Sequence, residues 1–144
     1  MLIGEYTHSL DEKKRVAVPA KFRKEIGKTV VITHGLDNCL SLYPLETWKK
    51  IAEKVAALPM GASHSRSFNR FILAGAAESE VDALGRVLIP DFLKEYAGLK
   101  RTIVFTGLQD HVEIWDEKRW REYKERIEKE ANVLAEKLGD IGIL

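Results

Sequence analysis

The sequence carries one unit written twice. Asp11-Glu12-Lys13-Lys14-Arg15-Val16, with Pro19 behind it, recurs 71 residues later as Asp82-Ala83-Leu84-Gly85-Arg86-Val87 with Pro90. At the same spacing Gly4 matches Gly75 and Gly27 matches Gly98. One inserted residue then moves the spacing to 72, where Gly35-Leu36 matches Gly107-Leu108, Tyr43 matches Trp115 and Trp48 matches Trp120. A repeat constrains the fold more than any local propensity, because each copy must be the same supersecondary unit. Each copy has roughly 50–55 residues, a size that buries only about 60% of its chain surface and is marginal alone. Two such units gain by packing or interleaving into one pseudo-symmetric body. The chain divides into a first unit over 1–58, a bridging linker and helix over 59–74, and a second unit over 75–144 with an extended C-terminal helix.

The pattern within a unit alternates short β-prone runs with turn signals. Glu5 to Leu10 and Val16 to Val18 flank a charged connection and predict a hairpin with its tip at Asp11 to Lys14. The second tip is Asp82 to Gly85. Gly85 takes positive φ cheaply, as a tight turn requires, whereas Lys14 at the same place must accept strain or use another turn. Pro19 and Pro90 end the second strand and open short helices, Ala20 to Ile26 closed by Gly27 and Asp91 to Ala97 closed by Gly98. Val30 to Thr33 and Thr102 to Phe105 are predicted strands. Turns follow at Gly35 to Asn38 and Gly107 to Asp110, then return strands at Leu40 to Tyr43 and Val112 to Trp115. A longer helix closes each unit. Leu45, Trp48, Ile51, Val55 and Leu58 share one face of the first, and Trp120, Tyr123, Ile127, Leu134 and Leu138 one face of the second. These stripes read as core, except that the last helix runs beyond what a small body needs to cover itself. Its far end is a candidate contact between copies. Pro59-Met60-Gly61 breaks the chain between units, and a bridging helix is predicted near Ser63 to Ala74.

Net charge is +1, which alone predicts no polyanion partner. The distribution says more. Residues 1–55 hold ten Lys/Arg against seven Asp/Glu, and residues 74–127 hold nine against eleven. Lys13, Lys14, Arg15, Lys21, Arg23 and Lys24 occur with no acid among residues 13–24. A charge run is ordinarily a solvated face. Here it adjoins a repeated turn, and Asp and Arg four apart suit two readings. In the structural one the aspartate caps the turn and the arginine pairs with it, contributing at most about 1 kcal/mol. In the functional one the aspartate fixes the turn and the arginine faces outward. A guanidinium fork makes paired hydrogen bonds to phosphate oxygens or to guanine O6 and N7. Flanking lysines add phosphate contacts that position without specifying. The charge counts assign most phosphate contacts to the first unit and mainly Arg86 to the second.

Other chemistries find no support. His8, His34, His64 and His111 lie at no metal-ligand spacing with each other or with Cys39, the sole cysteine, so no metal and no cofactor is expected. Ser63-His64-Ser65 lacks a local acid and an elbow pattern, and no phosphate-cradling glycine loop exists, so an enzyme is not expected. No apolar run is long enough for a membrane helix and no secretory signal is visible, so a cytoplasmic address is expected.

Three motifs carry a family resemblance. They are Asp-x-Lys-x-Arg-x-x-x-Pro-x-x-Phe-Arg over 11–23, Gly-Leu-Asp-x-Cys-Leu-x-x-Tyr-Pro over 35–44, and Asp-x-x-Gly-Arg-Val-x-Ile-Pro over 82–90. With the bridging Arg-x-Phe-x-Arg-Phe of 66–71, the chain resembles the MraZ family along essentially its whole length. The resemblance implies an α+β fold, a double swapped-hairpin AbrB-like β-barrel made from the two repeats, with peripheral helices. It implies a sequence-specific DNA-binding transcriptional regulator of the bacterial division and cell-wall gene cluster, acting on its own promoter among others. It also implies assembly into a homo-oligomeric ring that reads direct repeats in double-stranded promoter DNA, and hence a nucleoid association. By position the matching residues are Asp11, Arg15, Asp82 and Arg86. Lys13, Lys14, Lys21 and Arg23 join them from the charge reading. Lys14 departs from the family's usual glycine before the first arginine. An alternative reading is an oligomeric interaction scaffold whose basic turns grip an acidic protein partner.

Overall fold

The computed structural model describes residues 1–143. The elements follow the repeat. The first unit gives β1 (Leu2–Ser9), β2 (Arg15–Ala17), α1 (Arg23–Ile26), β3 (Thr29–His34), β4 (Leu40–Pro44) and α2 (Leu45–Ala56). The bridge is α3 (Ser63–Asn69) with a π-helical turn at Arg70–Ala74. The second unit gives β5 (Ala77–Glu80), β6 (Arg86–Leu88), α4 (Asp91–Ala97), β7 (Thr102–Gln109), β8 (Val112–Asp116) and α5 (Glu117–Asp140).

The strands pair across the repeat. Six form one antiparallel sheet in the order β1-β7-β8-β4-β3-β5, and β2 with β6 form a separate two-stranded ribbon. β1 of the first unit runs along β7 of the second, from Leu2 opposite Gln109 to Ser9 opposite Thr102. Its counterpart β5 runs along β3 of the first unit, from Thr29 opposite Glu80 to Ile32 opposite Ala77. The fold is therefore mixed α and β with exchanged N-terminal strands. Hydrogen bonding does not close it into a barrel. β1 and β5 remain the sheet's two edges, and the ribbon lies between them rather than joining their ladders. Pro19 and Pro90 follow the ribbon strands closely and lack the N–H that would extend them.

The expected hairpins are corrected in the same way. The tip at Asp11 to Lys14 is present, with the Asp11 N–H donating to Arg15 O at 2.9 Å. Beyond the single bridge from Leu10 to Val16, however, β1 and β2 part company. β1 finds eight register partners on β7, and β2 turns to β6, which brings its valines over the core. The first short helix is also shorter than its spacing suggested. Phe22 N–H donates to Pro19 O at 2.8 Å, a tight turn that leaves only Arg23–Ile26 helical. α4 spans Asp91–Ala97 and ends on Gly98 in the left-handed region, φ 61°, as its sequence predicts. β7 runs on to Gln109, so the turn before β8 shrinks to a hairpin over Gln109-Asp110 with Leu108 N–H on His111 O at 2.9 Å. The bridging helix widens at Arg70. There the side chains of β3 take backbone carbonyls, Thr33 Oγ1 donating to Ile72 O at 2.7 Å and His34 Nδ1 to Phe71 O at 2.8 Å.

One core serves both units. Val30, Ile32, Leu40, Leu42, Ile103, Phe105, Val112 and Ile114 supply it from the sheet. Val16, Val18, Val87 and Ile89 close it from the ribbon, and Phe22, Ile26, Leu93 and Ala97 from the short helices. The opposite face of the sheet carries the long helices. α2 lies on β3 and β4, and α5 on β7 and β8. Their stripes are less buried than core: on α2 only Val55 is fully buried, and on α5 no residue is. Trp120 and Tyr123 pack on Trp115 with ring centroids 5.3 and 5.1 Å apart, but Val133, Leu134 and Leu138 are exposed.

Phe22 is 1% exposed and meets Tyr6 edge-on at 5.1 Å, and Leu93 occupies the equivalent place in the other unit. Phe22→Ala is expected to cost about 3–5 kcal/mol and Leu93→Ala about 2–5 kcal/mol. Urea denaturation followed by circular dichroism should show one cooperative transition in both variants, because the units share a core. Two separate transitions would contradict that.

Candidate nucleic-acid interface

The two charged turns are built alike. In the first, Asp11 Oδ1 accepts the N–H groups of Lys13 at 2.8 Å and Arg15 at 2.9 Å. In the second, Asp82 Oδ1 accepts those of Leu84 at 3.0 Å and Arg86 at 2.8 Å. The turns close by Lys14 N–H on Asp11 O at 3.0 Å and Gly85 N–H on Asp82 O at 2.9 Å. Closure requires positive φ at the fourth residue. Gly85 has φ 78° and Lys14 has φ 62°. Lys14 therefore makes the same turn as its glycine counterpart and carries the strain, of order 1–2 kcal/mol for a side chain in that region.

The ribbon sets the turns side by side. Arg15 lies opposite Leu88, Val16 opposite Val87 and Ala17 opposite Arg86. Directly opposed residues share a face and neighbours along a strand alternate. Val16 and Val87 accordingly point into the core at 1% exposure each, and Arg15 and Arg86 stand on the outer face. Their register makes them diagonal neighbours, with Cα atoms about 7–8 Å apart. Each turn also accepts a backbone bond from the other unit: Val18 N–H donates to Gly85 O, and Ile89 N–H to Lys14 O, both at 2.8 Å.

The two arginines differ in their partners. Arg86 Nε donates to Asp82 Oδ2 at 2.9 Å, and its Nη1 lies 4.0 Å from Asp11 Oδ2. The Arg86 backbone N–H is the largest influence holding the Asp82 carboxyl below the usual carboxylate range, with the Arg86 guanidinium and Leu84 N–H adding to it. Among the described residues Arg15 has no ion pair and no side-chain hydrogen bond. Asp11 thus caps its turn without holding its own arginine.

The remaining predicted residues divide between the turns. Lys13 is exposed beside the first turn. Lys14 Nζ pairs with Asp91 of α4. Lys21 is exposed on the turn before α1. Arg23 lies beside the second turn, not the first: its Nε donates to Val18 O at 2.9 Å, and a Cβ placed on Gly85 would fall 2.5 Å from its guanidinium carbon. Exchange brings other cations to the first turn. A cleft of about 510 Å³ there is lined by Asp11, Glu12, Lys14, Lys94, Lys100 and Arg101. Its counterpart beside the second turn, about 380 Å³, is lined by Arg23, Lys28, Glu80 and Asp82 among others. Lys94, Lys100 and Arg101 escaped the sequence reading because they lie some 80–90 residues from that turn. The adjacent Lys100-Arg101 pair just before β7 was the available signal.

The other polar groups do not converge on a reaction. Cys39 is buried and its thiol donates to Leu36 O. Burial, with the Glu113 carboxylate near it, pushes that thiol well up. His8 is half-buried and edge-on to Phe105 at 5.9 Å. Burial and then the Arg23 charge push its pKa down. Among the described residues no group of three His, Cys, Asp or Glu side chains is placed to hold a metal ion, and no helix is long and apolar enough to cross a membrane.

Comparison with known proteins agrees along the whole chain. The family described as "MraZ protein, putative antitoxin-like" matches twice, over residues 1–71 and 72–139. The chain is 46% identical to the Transcriptional regulator MraZ of Caldanaerobacter subterraneus, over 99% of this chain and 100% of the relative. It is 47% and 48% identical to proteins of that name from Syntrophomonas wolfei and Clostridium beijerinckii, with the same coverage.

Two outcomes follow from the turn geometry. Lys14→Gly should raise stability by about 0.5–1 kcal/mol, the relief of strain being partly offset by a more flexible unfolded chain. Gly85→Lys should destabilise by more than that, since it adds strain and meets Arg23. Thermal melts of both variants measure this. The Asp82 carboxyl contributes stability that is fully present above its ordinary pKa of 3.8 and is lost as pH falls through the lowered native value. Asp82→Asn should therefore flatten the acid limb of the stability curve; an unchanged limb would show that other carboxylates set it.

Proposed function

The chain belongs to the MraZ family, and from that premise we propose that it is a transcriptional regulator that binds promoter DNA through its paired Asp-x-x-x-Arg turns. One observation carries the reading: the ribbon fixes Arg15 and Arg86 on one outward face, with their turns tied to each other and to the core. DNA recognition needs donors held in a known register before contact. Arg15, free of partners, is the base reader, its fork suited to guanine O6 and N7. Arg86, held by Asp82, sets the position of the second contact. Asp11 and Asp82 act on the backbone and keep both turns in shape. Lys13, Lys21 and Arg23 contact phosphates, and Lys14 does so by exchanging Asp91 for the DNA backbone. The strand exchange supports the reading as an AbrB-like swapped-hairpin fold, in which the units 1–58 and 75–144 interleave about the bridge 59–74.

The assembly is a homo-oligomeric ring. The exposed Leu134 and Leu138 at the far end of α5 support a contact between copies there. One pair of turns makes few contacts, but several on a rigid ring engage direct repeats together, and the second engagement becomes intramolecular. The target is the division and cell-wall gene cluster with the protein's own promoter, bound as a repressor, and the address is the cytoplasm, on the nucleoid. The exposed α5 stripe also favours a second reading, a scaffold whose basic turns grip an acidic protein.

The protein titrated against the promoter upstream of its own gene should prefer it over scrambled DNA by about a thousandfold or more. Arg15→Ala should lose about 1–3 kcal/mol of that discrimination for each turn engaged. Weak binding, equal on both DNAs and unchanged by Arg15→Ala, would overturn DNA recognition and favour the acidic partner.

A further inference from the structure

The two clefts that flank the turns are equivalent by the repeat and unequal in charge. In the cleft beside the second turn, Arg23 and Lys28 face Glu80 and Asp82, so cations and acids balance. In the cleft beside the first turn, the acids are Asp11 and Glu12 and the cations are Lys14, Lys94, Lys100 and Arg101. Counted by formal charge the first cleft is +2 and the second is neutral. Lys14 is engaged with Asp91, and among the described residues none of Lys94, Lys100 and Arg101 forms an ion pair.

These cations are held in the same frame as Arg15. Leu10 N–H donates to Arg101 O at 2.8 Å, which ties the start of β7 to the end of β1 just before the turn. Lys94 lies on α4, whose first residue, Asp91, holds Lys14. Like charges brought together repel, more strongly near a protein surface than in open water. A polyanion laid in the cleft relieves that repulsion and releases counterions as it binds.

We propose that this cleft is a phosphate track, taking the DNA backbone that flanks the bases contacted by Arg15. The inference rests on the reading of the turns as a DNA-facing surface. It adds to a difference the turns already carry. Lys13-Lys14 of the first turn stand where the second has Leu84-Gly85, and Arg86 is held by Asp82, but these differences lie at the tips and not along the flanking backbone path. A cationic track on one side gives each chain a polarity along that path, and a row of direct repeats requires every chain to point the same way. The three cations come from the second unit and serve the turn of the first, so the track exists only because the strands are exchanged.

The test uses the full-length protein with Lys100→Gln/Arg101→Gln; both residues are exposed, and a thermal melt confirms folding. Titration on promoter and scrambled DNA should show affinity falling by one factor on both, with the preference between them kept. The slope of log affinity against log salt should fall by about 1.8 for the two lost contacts, so a fourfold rise in salt should weaken the variant about tenfold less than the parent. A hydroxyl-radical footprint should shorten on one side only. Lys49→Gln/Lys54→Gln on α2 removes the same charge elsewhere and should leave slope and footprint unchanged. An unmoved slope in Lys100→Gln/Arg101→Gln, or an equal fall in the α2 variant, overturns the track while leaving the turns as DNA readers. If the parent shows no promoter preference, the underlying reading falls and the track with it.

Discussion

The ladder between Arg15–Ala17 and Arg86–Leu88 is short, yet most of the molecule answers to it. Its inward residues, Val16 and Val87, are fixtures of the shared core, and the two arginines stand outward with Ala17 and Leu88. Because neighbours along a strand alternate, the burial of the valines dictates the display of the arginines. The backbone bonds from Val18 to Gly85 and from Ile89 to Lys14 then make each turn part of the other unit's scaffold. A shift in either turn would have to break the ladder or expose valine. That is why Lys14 persists in a conformation that suits glycine: its N–H, its carbonyl and its side chain are each bonded to a different element, Asp11, Ile89 and Asp91.

The carboxylates do local work with distant effect. Both spend Oδ1 on the turn backbone, which costs the site a negative charge near where phosphate is proposed to lie. That charge is tolerable because it is already hydrogen-bonded, and at Asp82 it also points the arginine. The difference between the turns lies in what surrounds them. Arg86 is held between two aspartates, whereas Arg15 has no side-chain partner among the described residues, and the cleft at its turn holds more cations than acids. The charge asymmetry follows the turns rather than the repeats, since exchange sends cations of each unit to the other's turn.

Much of this was legible in the chain, in a particular order. The repeat placed both turns and their shared chemistry. Short runs between turn signals placed β3, β4, β7 and β8, Pro90 and Gly98 placed α4, and apolar periodicity placed α2, all to within a few residues. What could not be read was which strand pairs with which. The alternation of Glu5 to Leu10 and Val16 to Val18 is satisfied equally by a local hairpin and by two strands with separate distant partners. Only the whole sheet decides between them, by offering β1 a full-length neighbour in β7. The same limit hid Lys94, Lys100 and Arg101, which become neighbours of Asp11 only after that pairing. The barrel came with the family resemblance, and the hydrogen bonds do not make that closure. The far end of α5 read as a surplus stripe, and it is one.

The pairing of β1 with β7 has a consequence in time as well as in space. Residues 10–101 separate the two strands, and the closure entropy of that long loop must be met before the contact returns anything. A ribosome releases β1 well before β7. Throughout synthesis the first unit has apolar residues on β1, β2 and β3 whose proper neighbours do not yet exist. The protein cannot mature half by half, and the nascent first unit must wait with its strand edges open. A second nascent chain nearby offers those edges the same sequence that its own second half will later provide. The arrangement that gives the molecule one rigid face thus makes its birth a competition between closing on itself and pairing with a sibling.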